Sequence, residues 1–361
     1  MFEMSQHGMS DARILGRHEG EGRRIVFDPE GRLLATSSSD GRIKIWTPDE
    51  IGSQLEIDGP SGIDHLEISS SASRLEAYAV EGGEITTWVW SIEDGRVRLL
   101  RRFPCGAEQG MFGNFLTLGW DASRTRFAKS GPGDLVRIWT LSAPAGADPI
   151  ELKSGSDFVA FGQSFGPTGS WLATAGRNLA LWPLDGPYPW VLPEHTNIVS
   201  SVQFAPDGQW LASGSHSGIA RVVPLAGEVP VTSSFEYDGS AYIQDTAVSP
   251  DGSRLLVGHE YRGAVIVPLN GDPPSPLGSL IHVYEVAWSR DGRLAAVSAW
   301  GADSQTKIYV FDTDTLEETA TLEPEETAGW VALDAKRSFL PDGRIMAAFY
   351  SSGLWVLNPS T

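Results

Sequence analysis

The side chains best suited to chemistry are few and scattered along the chain. Histidine can act as a general base or a metal ligand, yet the histidines occur in no zinc-binding spacing such as HExxH. The seven are His7, His18, His65, His195, His216, His259 and His282. His259 and Glu260 are adjacent, but neighbouring side chains of an extended segment point in opposite directions, so we interpret them as a solvated loop pair. No metal site is predicted.

Motifs for covalent catalysis and nucleotide binding are missing as well. The segment Gly214-Ser215-His216-Ser217-Gly218 resembles a nucleophile elbow only superficially, and we predict that it is a turn between two strands. No GxxxxGK[ST] or GxGxxG motif precedes a helical pattern. Cys105 is the single cysteine, which excludes an internal disulfide, a multi-cysteine metal site and covalent haem attachment. The sequence therefore predicts no catalytic residue and no cofactor.

A repeated corner motif organises the chain. The segment Phe27-Asp28-Pro29-Glu30-Gly31 returns in similar form along the sequence, and two weaker copies lack its proline and glycine. Proline presets a turn and glycine accepts a positive φ, so each copy predicts a hairpin corner. The clear copies start at Phe27, Phe165, Phe204, Val248, Trp288 and Phe339, and the weaker ones at Ile68 and Trp120.

Short strands follow each corner. A small-and-apolar strand such as Leu33-Leu34-Ala35-Thr36 comes first, then a turn, then a strand that often ends in an aromatic residue, such as Ile43-Lys44-Ile45-Trp46. Four antiparallel strands every 40 to 50 residues, without helical periodicity, are typical of propeller blades. The sequence therefore predicts an all-β, closed β-propeller of eight four-stranded blades, with seven blades as the alternative if one weak copy is an embellishment.

Closure of the ring requires a strand from the N-terminus. The last repeat ends at Leu354-Trp355-Val356-Leu357 and leaves only four residues for an outer strand. We therefore expect the N-terminal strand 12–16 to complete the last blade, which protects both sheet edges. Residues 1–11 are expected to be a flexible tail, and residues 12–361 a single propeller domain.

Composition supports a folded β-protein and excludes some partners. The chain contains 40 Gly and 23 Pro beside 41% hydrophobic residues, which favours short strands around a core. The net charge of −19 repels phosphate groups, so we expect neither nucleic acid nor a membrane surface as partner. Residues 1–15 contain no apolar stretch long enough for a signal peptide, and no window approaches a membrane span. We expect a cytoplasmic monomer.

From about Ala12 to Leu357 the chain resembles the WD-repeat family. The closest unit is the first, with a histidine, a hydroxyl, an Asp-Gly pair and a terminal tryptophan. In that family such residues form a hydrogen-bonded chain that ties the loops of a blade to its third strand. The resemblance implies this structural role for His18, Thr36, Asp40 and Trp46.

The fifth unit keeps only part of this pattern. It retains His195 and Ser213 but has Ser217 in place of the aspartate and Val223 in place of the tryptophan. Several third strands continue with proline and leucine, such as Trp182-Pro183-Leu184, which resembles bacterial WD-repeat propellers found beside signalling modules.

Aromatic residues concentrate on one face of the predicted ring, which carries the turns between second and third strands and the connections between blades. Exposed aromatic side chains are common anchors of protein interfaces, although each could instead pack between blades. The longer insertions Gly106 to Asn114 and Phe235 to Gln244 are expected there too. The candidate binding residues are Phe112, Phe115, Tyr242, Tyr261, Tyr284, Trp300, Trp330 and Tyr350.

Two function classes remain open at this point. The first is a non-enzymatic platform, scaffold or sensor that binds another protein or peptide on the aromatic loop face, and it could be a module of a larger bacterial signalling protein. The alternative is a propeller enzyme, or a protein that binds a small ligand or metal, with a site in its central channel. Titratable groups converging on the ring axis would favour the second class.

Overall fold

A computed structural model shows an all-β chain. The described residues contain 32 strands and no helix. Those residues are 13–20, 22–28, 30–49, 53, 55–60, 63–69, 72–81, 84–93, 96–107, 118–121, 123, 125–130, 135–144, 147–153, 162–176, 179–184, 190–192, 195–225, 234–236, 242–300, 306–322, 331–332, 339–340, 343–349 and 353–357.

The strands of the first half of the chain follow one another in groups of four after an initial strand, β1 (Arg13–Gly16). Sheet 1 contains β2 (Gly22–Phe27), β3 (Leu34–Ser38), β4 (Arg42–Trp46) and β5 (Leu55–Asp58). Sheet 2 contains β6 (Ile63–Ile68), β7 (Arg74–Glu81), β8 (Glu84–Glu93) and β9 (Arg96–Ala107). Sheet 3 contains β10 (Leu118–Trp120), β11 (Arg126–Ser130), β12 (Leu135–Thr140) and β13 (Ile150–Lys153). Sheet 4 contains β14 (Gly162–Phe165), β15 (Trp171–Ala175), β16 (Leu179–Pro183) and β17 (Trp190–Leu192).

The second half of the chain continues in the same way. Sheet 5 contains β18 (Val199–Phe204), β19 (Trp210–Ser215), β20 (Ile219–Pro224) and β21 (Ser234–Glu236). Sheet 6 contains β22 (Ile243–Val248), β23 (Arg254–His259), β24 (Gly263–Pro268) and β25 (Ser275–Leu277). Sheet 7 contains β26 (Ile281–Trp288), β27 (Leu294–Trp300), β28 (Thr306–Asp312) and β29 (Glu318–Leu322). Sheet 8 combines β30 (Val331–Ala332), β31 (Ile345–Phe349) and β32 (Gly353–Leu357) with β1.

Within the described residues, the strands form eight four-stranded sheets whose described pairings are antiparallel. The two weakest repeats of the sequence both form four-stranded sheets, namely sheets 2 and 3. In sheet 8 the N-terminal strand β1 pairs with β32, with Ile14 opposite Trp355. The described strand begins at Arg13, one residue after the predicted start, and the predicted tail 1–11 lies outside the described residues.

The described ends of the two predicted insertions lie in or next to strands. β9 extends through Gly106 to Ala107, so the first insertion begins inside a strand. Phe235 lies in β21, and β22 begins at Ile243. Ala107 pairs with Glu84, Phe235 with Ala220 and Ile243 with His259, so strand pairing reaches the described ends of both segments.

The corner motif forms a tight turn between the first and second strands. In sheet 6 the Gly252 amide donates to the Ser249 carbonyl at 2.9 Å, and Gly252 has φ of 70°. This left-handed conformation is open to glycine without steric cost. Asp251 accepts hydrogen bonds from the hydroxyls of Ser249 and Ser253, both at 2.6 Å, and these lower its pKa to about 2 although partial burial opposes them.

The apolar core lies between neighbouring sheets. One cluster combines Leu256 and Ile266 of sheet 6 with Val286, Val297 and Phe311 of sheet 7, all almost fully buried. Similar clusters join sheets 1 and 2, 3 and 4, 4 and 5, 5 and 6, and 7 and 8. The first strand of sheet 1, β2, contacts β31 of sheet 8, so the last sheet lies beside the first.

Arginines at the start of some second strands lock adjacent sheets together. The Arg254 guanidinium lies 4.9 Å from the Trp288 ring centre of sheet 7 and donates to the Gly292 carbonyl at 2.9 Å. Arg126 joins sheets 3 and 4 by a matching hydrogen bond, which it donates to the Gly169 carbonyl at 2.6 Å. Both residues stand six positions after the first corner residue (120→126, 248→254).

The described residues include no helix that is long and apolar enough to cross a membrane.

Candidate functional site

The structure brings together the four residues of the first repeat that the family resemblance singled out. His18 precedes β2, Thr36 lies on β3, Asp40 in the following turn and Trp46 at the end of β4. The His18 ring nitrogens lie 2.7 Å from Thr36 Oγ1 and 3.3 Å from Asp40 Oδ2. The buried Trp46 indole donates to the same Thr36 hydroxyl at 2.8 Å. The chain of hydrogen bonds therefore connects the segment before β2 with β3, the turn after β3 and the end of β4.

Charge and burial act against each other in this network. Burial lowers the pKa of His18, and the nearby Asp40 carboxylate only partly opposes that effect. Burial also raises the pKa of Asp40, but hydrogen bonds from the Arg42 and Gly20 amides, together with His18, lower it overall. A satisfied polar network of this kind fixes the positions of its loops. We assign it a structural role.

Sheet 5 has an incomplete version of the network. His195 Nε2 lies 2.8 Å from Ser213 Oγ. This contact corresponds to the one between His18 and Thr36 in sheet 1. Ser217, which replaces the aspartate, lies 2.6 Å from Ser215 instead, and His195 Nδ1 has no hydrogen-bond partner within the described residues. Burial, with a smaller contribution from the positive charge of Arg221, lowers the pKa of His195 to about 4.

Sheet 4 has a further partial copy, which sequence reasoning missed. The Trp182 indole donates to Thr174 Oγ1 at 3.0 Å, the same bond that Trp46 makes to Thr36 in sheet 1. The signal was present, because Thr174 and Trp182 occupy matching places on the second and third strands of their sheet.

Four of the predicted binding residues lie close together at the junctions of sheets 5, 6 and 7. Tyr242 precedes β22, Tyr261 is in the turn between β23 and β24, Tyr284 is on β26, and Trp300 ends β27. With two histidines they form what we call the aromatic patch, which consists of His216, Tyr242, Tyr261, His282, Tyr284 and Trp300.

Ring contacts within the aromatic patch run from sheet to sheet. The His282 ring lies 4.6 Å from Tyr261 of sheet 6 and 4.6 Å from Trp300 of its own sheet. Trp300 in turn meets Tyr284 edge-on at 6.2 Å. At the preceding junction, His216 of sheet 5 stacks on Tyr242 at 4.9 Å. The patch therefore spans three consecutive sheets.

The patch remains accessible despite these contacts. Tyr261 is 52% exposed, Tyr242 is 44% exposed, and the neighbouring Ile281 is 43% exposed. Tyr284 and Trp300 are half-buried. Large apolar side chains with this exposure are few among the described residues, and half of those few lie here. Clustering of this kind is a common feature of contact surfaces.

Sequence reasoning missed both histidines because it considered histidines only for metal binding and catalysis, and not as parts of a binding surface. The spacing within the repeats could have assigned His216 to the same face as Trp300. Each stands 12 residues after the first corner residue of its repeat (204→216, 288→300). The place of His282 depends on irregular pairing, which no simple pattern predicts.

The backbone of His282 is strained. This residue has φ of 49°, in the left-handed region that a non-glycine residue seldom adopts. The register between β26 and β27 shifts on both sides of Val283, so the strand bulges beside the patch. Bulges redirect side chains, and strained residues concentrate at functional sites. Here the bulge accompanies the placement of His282 between Tyr261 and Trp300.

Close packing beneath the patch supports that bulge. Val283 lies against Gly258 of β23, where an added Cβ would come within 2.6 Å of the Val283 side chain. Asp245 of β22 accepts a hydrogen bond from the Val286 amide of β26 at 3.1 Å. The first strands of sheets 6 and 7 are thus held together directly behind the aromatic rings.

One acidic side chain influences the patch. A hydrogen bond from the Tyr261 hydroxyl to Glu260 raises the pKa of that phenol. The pKa of Tyr284 is also raised, mainly by burial and secondly by Glu260. Both tyrosines are therefore neutral hydrogen-bond donors at physiological pH.

The other predicted binding residues cannot be placed. Phe112, Phe115, Trp330 and Tyr350 lie outside the described residues. Their assignment to the same face stays a prediction.

No metal centre emerges within the part of the chain that the structure describes. No group of three histidine, cysteine, aspartate or glutamate side chains there could hold a metal ion. The earlier expectation of no metal and no cofactor stays a prediction.

Comparison with known families matches two of the repeats to a family model. Two stretches, residues 15–47 and 186–223, match the family model described as WD domain, G-beta repeat. Both stretches are similar to WD repeats. The first match includes all four residues of the sheet 1 network, and the second includes His195 and Ser213 of sheet 5.

Several curated proteins are similar to this chain. Apoptotic protease-activating factor 1 of Rattus norvegicus is 26% identical over 250 residues, 65% of this chain and 18% of that protein. Echinoderm microtubule-associated protein-like 2 of Rattus norvegicus is 27% identical over 216 residues, 58% of this chain and 30% of that protein. Protein transport protein SEC13 of Mycosarcoma maydis is 28% identical over 202 residues, 52% of this chain and 49% of that protein.

These alignments cover less than half the length of each relative. The relatives are eukaryotic, so the predicted likeness to bacterial WD-repeat propellers is not shown by them.

Proposed function

We propose that this WD-repeat chain is a non-enzymatic platform that binds another protein through the aromatic patch. The observation that carries the proposal is two groups of contacting, partly exposed rings, one at the junction of sheets 5 and 6 and one at the junction of sheets 6 and 7. Aromatic side chains that are pre-positioned on rigid strands lose little conformational entropy on binding and are common hot spots.

The two matches to the WD-repeat model support the same class of function. WD-repeat proteins generally mediate protein–protein interactions or act as scaffolds. The side chains of the patch are also ones that suit such a contact, because tyrosine and tryptophan combine an apolar ring with a polar group. A cytoplasmic monomer, and a place within a larger bacterial signalling protein, belong to this proposal as its finer parts.

The proposal includes the architecture of a closed ring of eight blades. The contact between β2 and β31 and the N-terminal strand in sheet 8 support closure. The four-stranded form of sheets 2 and 3 supports eight blades over seven. In such a ring the patch lies on the face that carries the turns between second and third strands.

Quantitative affinity capture tests the function. The intact chain and the triple variant Tyr242→Ala, Tyr261→Ala, Trp300→Ala are immobilised and exposed to lysate of the source organism. Captured proteins are then quantified by mass spectrometry. We expect one protein to be enriched on the intact chain and lost on the triple variant.

The matched control is Ile150→Ala, which removes a side chain that is 55% exposed on sheet 3, away from the patch. This variant should retain the captured protein. Equal capture by the intact chain and by the triple variant would overturn the assignment of the patch, provided that both give the same circular dichroism spectrum.

A further inference from the structure

A second surface of the molecule differs from the rest in charge. The protein has a net charge of −19, yet four arginines stand within seven residues of β9: Arg96, Arg98, Arg101 and Arg102. We call residues 96–102 the basic strand. Arg96, Arg98 and Arg102 are exposed, and Arg96 and Arg98 form no ion pair within the described residues. A concentrated positive charge therefore faces solvent on an acidic molecule.

The basic strand also exposes apolar surface. Leu99 and Leu100 are adjacent and each is 45% exposed. The register between β8 and β9 shifts here, with Leu99 opposite Trp90 and Arg101 opposite Val89. Leu100 is thus the extra residue of a bulge, and the bulge places two leucines in solvent between the arginines.

One edge of β9 pairs with no other described strand. β9 is the outermost strand of sheet 2 and pairs with β8 on one side. With 12 residues it is the longest strand that the structure describes. Arg102 packs over the Trp88 ring at 4.6 Å, which holds one end of the basic strand against the sheet.

Charged residues and bulges are also ordinary means of protecting a sheet edge from aggregation. The two exposed leucines distinguish a docking surface from a protected sheet edge, because a protected edge has no need to expose adjacent large apolar side chains. A surface that combines exposed leucines with unpaired arginines is suited to a partner with the opposite pattern.

We propose that the basic strand is a docking site for an extended acidic segment of a partner protein. Carboxylates of that segment lie against Arg96 and Arg98, and its apolar side chains cover Leu99 and Leu100. A second copy of the chain docked strand to strand would place arginine opposite arginine, which is unfavourable. Nucleic acid would satisfy the arginines but leave the leucines exposed, and the overall negative charge repels it.

Fluorescence anisotropy with defined probes tests the proposal. The probe is a labelled peptide of alternating glutamate and valine, equal in length to β9, and a matched peptide carries glutamine in place of glutamate. We expect the glutamate peptide to bind at low ionic strength, to weaken as salt is added, and to bind more tightly than the glutamine peptide.

Two variants of the full chain locate the binding. Arg96→Glu with Arg98→Glu should weaken the glutamate peptide about tenfold or more, since two attractions become repulsions. Leu99→Ser with Leu100→Ser should weaken it without changing the salt dependence. The control is Arg290→Glu with Arg293→Glu, the same charge change at two exposed arginines of sheet 7, which should leave binding unchanged.

Three results would overturn the proposal. The glutamate peptide does not bind, or both charge reversals weaken it equally, or a single-stranded oligonucleotide binds more tightly than the peptide and depends on Arg96 and Arg98. The patch variant Tyr242→Ala, Tyr261→Ala, Trp300→Ala should bind the peptide normally, so this test is independent of the function proposed for the aromatic patch.

Discussion

At the scale of single residues, one of the differences between the two histidine networks has a clear physical effect. His18 has Asp40 beside its second ring nitrogen, whereas His195 has lost that carboxylate to Ser217. Both rings are buried, but only His195 has its pKa lowered to about 4. Burial without a compensating charge disfavours the protonated form.

We predict that His195 makes the protein less stable in mild acid. In the unfolded chain it takes up a proton near pH 6.5, but in the folded chain only near pH 4. Between these values the unfolded state binds more protons, so the free energy of unfolding falls as the pH falls. Above pH 6.5 His195 does not lower the free energy of unfolding. At pH 4 it lowers the free energy of unfolding by about 3 kcal/mol.

Denaturant unfolding at pH 7 and pH 5 measures this effect. His195→Gln should reduce the difference between the two pH values relative to the unmodified protein. Ser217→Asp should reduce it too, because a carboxylate near His195 raises the pKa of the ring. An unchanged pH dependence in both variants would show that His195 does not control acid stability.

At the scale of elements, the strands were predictable because turns and side-chain alternation are local. Each clear corner marked the start of a second strand, as Gly252 marks β23. Irregular features were not predictable. The bulge at His282 depends on the packing of Val283 against Gly258, which lies in another sheet.

The candidate site was predictable only in part for the same reason. Tyr242, Tyr261, Tyr284 and Trp300 were assigned to one face from their places in the repeat. The link between Tyr261 and Trp300 runs through His282, whose strained backbone no local sequence pattern indicated.

Arginine contacts between sheets lead to a stability prediction. Arg254→Met keeps much of the side-chain volume but removes the hydrogen bond to Gly292 and the cation over the Trp288 ring. We expect it to lower the free energy of unfolding by about 1–3 kcal/mol. Arg290→Met, at an exposed arginine of the next sheet, is the control and should change it by less than about 0.5 kcal/mol.

Urea unfolding of the two variants gives the comparison. Equal stabilities of Arg254→Met and Arg290→Met would contradict a role for Arg254 in joining sheets 6 and 7.

At the scale of the whole molecule, the net charge does not reveal that positive charge is concentrated on one strand. The net charge of −19 correctly describes a negative surface overall, yet β9 collects four arginines on one strand. Composition cannot reveal such a strand, because it sums over surfaces that face different directions. The molecule therefore offers two chemically distinct surfaces, the aromatic patch and the basic strand.

Hydroxyl-radical footprinting of the intact chain, with and without its captured partner, tests the central claim most directly. Tyr242 and Tyr261 are exposed enough to be oxidised readily in the free protein. Binding at the aromatic patch predicts that oxidation of both tyrosines and of Trp300 falls in the complex, while Ile150 on sheet 3 is oxidised as before. Unchanged oxidation of these three aromatic residues in a saturated complex would contradict the account.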